Sequence, residues 1–343
     1  MVGSKRKAFM LAAVLCAVFS VLFFFNGHMI SHYAVGHVTW GGTFLLSWFA
    51  ELVFALLDGE RDAVWEAKMA FLLFFIFLQG SFHQFVWCVI FLGFLAVSNW
   101  KTFFPILRSG IAAGLLSAVR VISPAMQMGA FDDDFLGGYT LLVQLANAFI
   151  KIISPANSLN QAKTGAVQGW WEFDIYLSVF GVLILMAAVI AWLILRNRDL
   201  GFPALICPTV VLTIFSWQNC YQLMRFFRIP LFSGERVSSR FLILPVIFVL
   251  IAGMAALQRL IRGKAALNML LTAAMIPAVV FLGKHLSTWK VTEAAKAYPK
   301  MNVDLALKTV ANHPDQPYTT GLLIGLGITL VSGAVILWRA KRS

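Results

Sequence analysis

Ten runs of apolar residues, near 8–25, 42–57, 66–79, 85–99, 109–123, 175–195, 202–217, 241–257, 266–283 and 321–338, occupy about half of this 343-residue chain. Such runs are candidate membrane-spanning helices, because a helix satisfies its own backbone polar groups where water is absent. Only 12% of the residues are charged, about half the share usual in a soluble domain. The expectation is an all-α polytopic integral membrane protein, a single membrane domain over residues 1–343. The runs at 66–79 and 85–99 are short and also fit a re-entrant hairpin. Removing both together leaves every later orientation unchanged.

With the N-terminus inside, fifteen of the 27 lysines and arginines fall in cytoplasmic connections, at 5, 6, 7, 61, 68, 101, 108, 196, 198, 259, 262, 264, 339, 341 and 342. The short outer turns at 26–41 and 80–84 have none. The positive-inside rule therefore predicts a multi-pass protein of the cytoplasmic (inner) membrane with both termini in the cytoplasm. Long outer segments follow at 125–174, 218–240 and 284–320, and all six histidines lie on the outer side. The opening MVGSKRKAFMLAAVLCAVFSVLFFF has no small-residue cleavage site before Asn26, so it reads as an uncleaved first span.

A formal charge of +12 would suggest nucleic acid for a soluble chain. Here the basic residues flank apolar runs as orientation signals, so membrane lipid is the expected partner and nucleic acid is not. Cys16, Cys88, Cys207 and Cys220 form no CxxC pair and read as packing residues. Within the first long outer segment, YTLLVQLANAFIKIIS (139–154) places Gln144, Asn147 and Lys151 at helical spacing. That pattern predicts an interfacial helix, with a buried or spanning eleventh helix as the alternative.

Four groups carry candidate chemistry. GHMISHYAVGH brings His28 and His32 onto one face of any helix formed there, with His37 close behind. Gly27 and Gly36 argue against a continuous helix and no acid accompanies the turn. The three histidines, with His83 in the next outer turn, therefore read as substrate-facing, and no metal site is assigned. FDDDFLGGY supplies Asp132, Asp133 and Asp134, one of which is a candidate general base or divalent-cation ligand, against a solvated acidic turn. WWEFDIY adds Glu172 and Asp174 at the mouth of a span, and Glu51 sits inside the second run, where an ionisable group is a functional candidate by default.

RFFRIPLFSGERVSSRF gathers Arg225, Arg228, Arg236 and Arg240 in an outer segment, where orientation signalling does not explain them. Guanidinium forks match phosphate oxygens in pairs, so a lipid phosphate is the expected ligand. Bulk anionic headgroups, or ion pairs with Glu235 and the 132–134 turn, are the alternatives. Arg236 and Arg240, four apart, share a face if the eighth span begins early.

GERVSSRFLILPVIFVLIAGMAAL is similar to the arginine-bearing loop and following span, near R-V-P-S-R-F, of bacterial polytopic membrane proteins related to the GT-C glycosyltransferases. FNGHMISHYAVGHVTWGGTFLLSWF, LQGSFHQFVWCVIFLGFLA, the GGY loop and WWEFDIYLSVFGVLIL resemble further segments of those proteins in the same order. Together they cover most of residues 20–260. The resemblance implies a GT-C-like fold with an outer cavity bounded by 26–41, 125–174 and 218–240. It also implies transfer of a sugar from a polyprenyl-phosphate carrier to an acceptor on the outer face.

In that family an acid of the first outer loop acts as base or helps to hold a metal, so a divalent cation is the one cofactor the resemblance brings into view. This chain departs from the pattern: residues 26–41 contain no Asp or Glu, and Ser238 stands where the pattern has Pro. Either a separate partner subunit supplies the acidic segment to a shortened chain, or Asp132, Asp133, Asp134, Glu172 or Asp174 takes the role. Two other functions stay open. A flippase or transporter of lipid-linked glycans should show internal repeats, which this sequence lacks; a glycan ligase or polymerase would use a diphosphate-linked donor.

Overall fold

The computed structural model describes residues 16–127, 137–157, 169–196, 200–227, 235–297 and 315–343. Asp132, Asp133, Asp134 and Arg228 lie outside them, and only the backbone of Arg225 is described. In chain order the helices are α1 (16–24), α2 (Gly27–Ala34), α3 (Leu45–Asp58), α4 (Ala63–Leu78), α5 (Phe82–Ser98), α6 (Phe103–Leu116), α7 (Ala118–Gln127), α8 (Leu142–Ile150), α9 (Ser178–Leu195), α10 (Ile206–Phe215), α11 (Gln218–Phe226), α12 (Ile243–Ile261), α13 (Ala265–Thr288), α14 (Val291–Ala297) and α15 (Gln316–Arg342). Short 3₁₀ turns include Val38–Phe44, Trp170–Glu172 and Ser238–Leu242. Two isolated bridges are the only β pairing among the described residues.

Among the described residues, five segments are long and apolar enough to cross a membrane: Val38–Asp58, Ser178–Leu195, Ser238–Ile261, Ala265–Thr288 and Gln316–Arg342. A sixth is added if Trp100–Leu116 and Ala118–Met126, bent by 63°, form one span. The described residues are therefore all-helical, with five to six candidate spans. Every apolar run contains a helix, but α10 has ten residues, about 15 Å of rise against a hydrocarbon core of about 30 Å. α4 carries Glu66 and Lys68 in its first half.

The chain forms two compact units, Met1–Phe44 with Phe135–Ala297, and Leu45–Asp134 with Tyr298–Ser343. In the first, α9 packs on α12 where Gly253 meets Ala188; a Cβ on Gly253 would stand 2.7 Å from the Ala188 carbonyl oxygen. Small residues let apolar helices approach backbone to backbone, which is how such helices associate when lipid removes the hydrophobic drive.

The second unit uses the same device along Gly321, Gly325 and Thr329 of α15. A Cβ on Gly325 would lie 2.5 Å from the Ala118 carbonyl oxygen. The break after α6 withdraws backbone groups from the helical ladder, and Thr329 takes them up. Its Oγ1 donates to the Leu116 carbonyl (2.8 Å) and accepts from the Val119 amide (3.2 Å). Ser123 Oγ donates to the Tyr318 carbonyl at 2.7 Å. Buried Glu66 ties α4 to two other helices, accepting from Arg108 Nε at 2.7 Å and pairing with Arg339 at 3.2 Å. Gly325→Leu is therefore expected to cost about 1–3 kcal/mol of stability. Gly327→Leu, with open space at its Cβ, leaves the thermal unfolding midpoint in detergent unchanged.

The helix expected over 139–154 is shorter, at Leu142–Ile150, with Lys151 as its C-cap. Gln144 faces inward, and its Oε1 accepts from the Thr140 amide at 2.9 Å, while Leu142 and Val143 are exposed. Residues 137–139 are taken by long-range backbone pairing and cannot join the helix.

Candidate functional site

The site is assembled around Gly137, Gly138 and Tyr139. The Gly137 amide donates to the Arg236 carbonyl (2.7 Å), and the Ser238 amide donates to the Gly137 carbonyl (2.6 Å). Tyr139 exchanges two bonds with the next strip of chain, its amide donating to the Ser216 carbonyl and its carbonyl accepting from the Gln218 amide, both at 3.0 Å. Gly138 sits between the two strips. A Cβ there would lie 2.3 Å from Ser238 Oγ and 2.8 Å from the Gln218 amide nitrogen, so only glycine closes this clasp.

The same clasp carries the WWEFD turn. Ser239 Oγ donates to the Glu172 carbonyl and the Tyr139 hydroxyl to the Phe173 carbonyl, each at 2.6 Å. Burial, and then the charge of Asp174, push the Tyr139 pKa well above its ordinary value, so the hydroxyl keeps its proton and donates. α2 docks on the far end of the turn. Asn26 caps it through the Met29 amide (3.1 Å), and the Gly27 amide donates to the Tyr176 carbonyl (2.9 Å). A Cβ on Gly27 would lie 1.8 Å from Asp174 Oδ1.

Asp174 is fully buried. Its Oδ1 accepts from the Tyr176 amide (2.9 Å), and its Oδ2 lies 2.8 Å from Nε2 of buried His285 on α13, whose ring stacks on Tyr176. With no access to solvent, Asp174 acts as an anchor between the turn and α13.

Glu172 is the centre of the cluster. Arg240 grips it with both edges of its fork, Nε to Oε2 at 2.7 Å and an Nη2 bond to Oε1 at 2.8 Å, and Trp171 Nε1 adds a bond to Oε1 at 3.0 Å. Glu235 lies 3.6 Å from Arg240 on its other side and accepts from the Val237 amide. The guanidinium sits 5.2 Å from the Trp40 ring centre. That indole stacks on His32, at 4.5 Å, and meets His28 edge-on.

His32 connects this core outward. Its Nε2 is 3.7 Å from Glu172 Oε2, and its Nδ1 is 2.8 Å from Nδ1 of half-exposed His37. His28 and His32 share one face of α2, with Gly27 as the first helical residue and Gly36, at φ +87°, beyond its end. Burial first, and the Arg240 charge second, hold the His28 pKa well below its ordinary value, so its imidazole is neutral.

Of the residues singled out in the sequence, His28, His32, His37, Glu172 and Arg240 come together, and Asp174 lies two residues from Glu172 with a partner of its own. His83 belongs to the second unit, where its ring is edge-on to Phe82, and Glu51 is exposed on α3. Arg236 and Arg240 do not share a helical face. α12 begins only at Ile243, and the 3₁₀ turn before it buries Arg240 while Arg236 stays exposed. Arg240 is also closed on Glu172, so its fork is not open to a phosphate.

Trp40, His285 and Tyr176 complete the arrangement without having been singled out. Trp40 carried a local signal, an aromatic inside the histidine turn. Nothing local joins His285 to a partner 111 residues away. Comparison of the chain with protein-family models, curated proteins and solved structures finds no match, so the geometry of the cluster carries the functional reading.

Proposed function

We propose that this chain is a GT-C-like membrane glycosyltransferase that moves a sugar from a polyprenyl-phosphate carrier to an acceptor on the outer face of the cytoplasmic membrane. On this reading it has about ten spans, with both termini inside. The observation that carries the proposal is the cluster itself: His28, His32, Glu172, Glu235 and Arg240 are buried together, drawn from three outer segments, with His37 at the edge. Ionisable groups are costly to bury in a membrane protein, and where they are kept they mark chemistry or transport.

Glu172 takes the place of the acid absent from residues 26–41. The acceptor hydroxyl oxygen attacks the anomeric carbon as the bond from that carbon to the phosphate oxygen breaks. The hydroxyl proton passes to the cluster, and polyprenyl phosphate leaves. Arg236, exposed beside the clasp, holds the donor phosphate, while Arg225 and Arg228 meet headgroups or position the loop. An apolar groove of about 610 Å³, lined by Phe24, Phe25, Ile30, Tyr33, Leu286 and Trp289 with Lys290 beside them, supports a lipid-borne substrate. α2 faces this groove with Ile30 and Tyr33 and the cluster with His28 and His32.

Two measurements test the proposal. Wild-type protein in nanodiscs, given a polyprenyl-phosphate-linked sugar and an envelope extract as acceptor source, should release polyprenyl phosphate; no release refutes the reading. Arg236→Ala should weaken binding of a polyprenyl-phosphate analogue in neutral-lipid nanodiscs by about 1.5–3 kcal/mol, while Arg262→Ala binds as wild type does. Equal affinity for all three proteins would remove Arg236 from the donor site.

A further inference from the structure

We propose that His32, His37 and Glu172 form a binding site for a divalent transition metal of the zinc class. One ligand atom from each lies within 4.8 Å of those of the other two. Two imidazoles and a carboxylate are the donor set of zinc sites that keep a fourth position open for water or substrate. Nitrogen donors in the majority disfavour magnesium and calcium, which take oxygen ligands.

The spacing supports the same conclusion. Zinc bonds of about 2.0–2.1 Å at the tetrahedral angle place ligand atoms about 3.4 Å apart. His32 Nε2 and Glu172 Oε2 are 3.7 Å apart, too far for a hydrogen bond and close to the separation of two ligands on one metal. Half-exposed His37 meets His32 through the other ring nitrogen, Nδ1 to Nδ1 at 2.8 Å, a bond that metal binding would exchange for coordination.

The surroundings are those of a supported ligand set. Trp40 stacks on the His32 ring and fixes its plane. Arg240 and Trp171 hold the Glu172 carboxylate, the orienting bonds that metal ligands ordinarily receive from a second layer of residues.

This inference adds a metal to the site of the proposed transferase, where it would bind the acceptor oxygen and ease loss of its proton. The test does not depend on sugar transfer, so the two ideas fail separately. Full-length protein in detergent is stripped with a chelator and titrated with Co²⁺, whose ligand-field absorption reports tetrahedral nitrogen–oxygen coordination, and Zn²⁺ is then added to displace it. The wild type should take up about one equivalent, and His37→Ala should bind at least about 100-fold more weakly, with an unchanged elution profile. His83→Ala should match the wild type. Absence of the cobalt band in wild type, or an undiminished band in His37→Ala, overturns the site; the wild-type spectrum decides even if the variant does not fold.

Discussion

Replacing Arg240 with alanine lowers the unfolding free energy of the protein by about 3–5 kcal/mol. The guanidinium is the counter-charge of Glu172 and Glu235, all three side chains being at most 8% exposed. Removing it leaves the Glu172 carboxylate out of water without the cation it is paired with. The effect comes from that stranded charge more than from the loss of two hydrogen bonds. Arg240→Lys keeps the charge but not the planar fork and is expected to lose less, about 1–2 kcal/mol. Combining Glu172→Gln with Arg240→Met recovers part of the loss, since one buried carboxylate then remains in place of two. Denaturant unfolding in detergent, followed by tryptophan fluorescence, measures the series. A loss under about 1 kcal/mol for Arg240→Ala would show a pair exposed to water, contrary to its geometry.

On the proposed transferase reading, Glu172→Gln lowers sugar transfer by about 10²–10⁴-fold. The amide keeps the size and one oxygen of the carboxylate, but it neither takes a proton at neutral pH nor binds a cation as an anion does. It also leaves Arg240 with Glu235 alone, so some stability is lost, and transfer must be measured where the variant is folded. Asp174→Asn separates the two acids of WWEFD. Asp174 accepts from the Tyr176 amide and pairs with His285, and its replacement should lower the unfolding midpoint with a much smaller loss of transfer from the folded fraction. Full activity in Glu172→Gln would sink the assignment of Glu172. A large loss in well-folded Asp174→Asn, with Glu172→Gln active, would move the chemistry to the Asp174–His285 pair.

The apolar runs were sufficient to predict an all-helical chain, because burial in lipid demands internally satisfied backbone and little else does so over such lengths. Local chemistry also set several helix limits. Asn26, Asp62 and Asp315 each accept an amide bond from three residues on, a contact that needs only neighbouring residues. The i, i+4 spacing of His28 and His32 put both on one face, although Gly27 argued against a helix; glycine is tolerated there because it is the first helical residue, where close approach to Asp174 matters more than helix propensity.

What the tertiary structure decided is which charges meet. Glu172 and Arg240 are 68 residues apart, and Asp174 and His285 are 111 apart. Periodicity reports which side of a helix is buried and carries no information about the partner across the gap. The pairing through Gly137–Tyr139 aligns three distant strips of chain, and only that alignment turns Arg240 inward onto Glu172 while leaving Arg236 outside. Arg236 and Arg240 thus came to lie on opposite sides of the surface because a 3₁₀ turn, fixed by contacts far along the chain, replaced the helical face their spacing suggested.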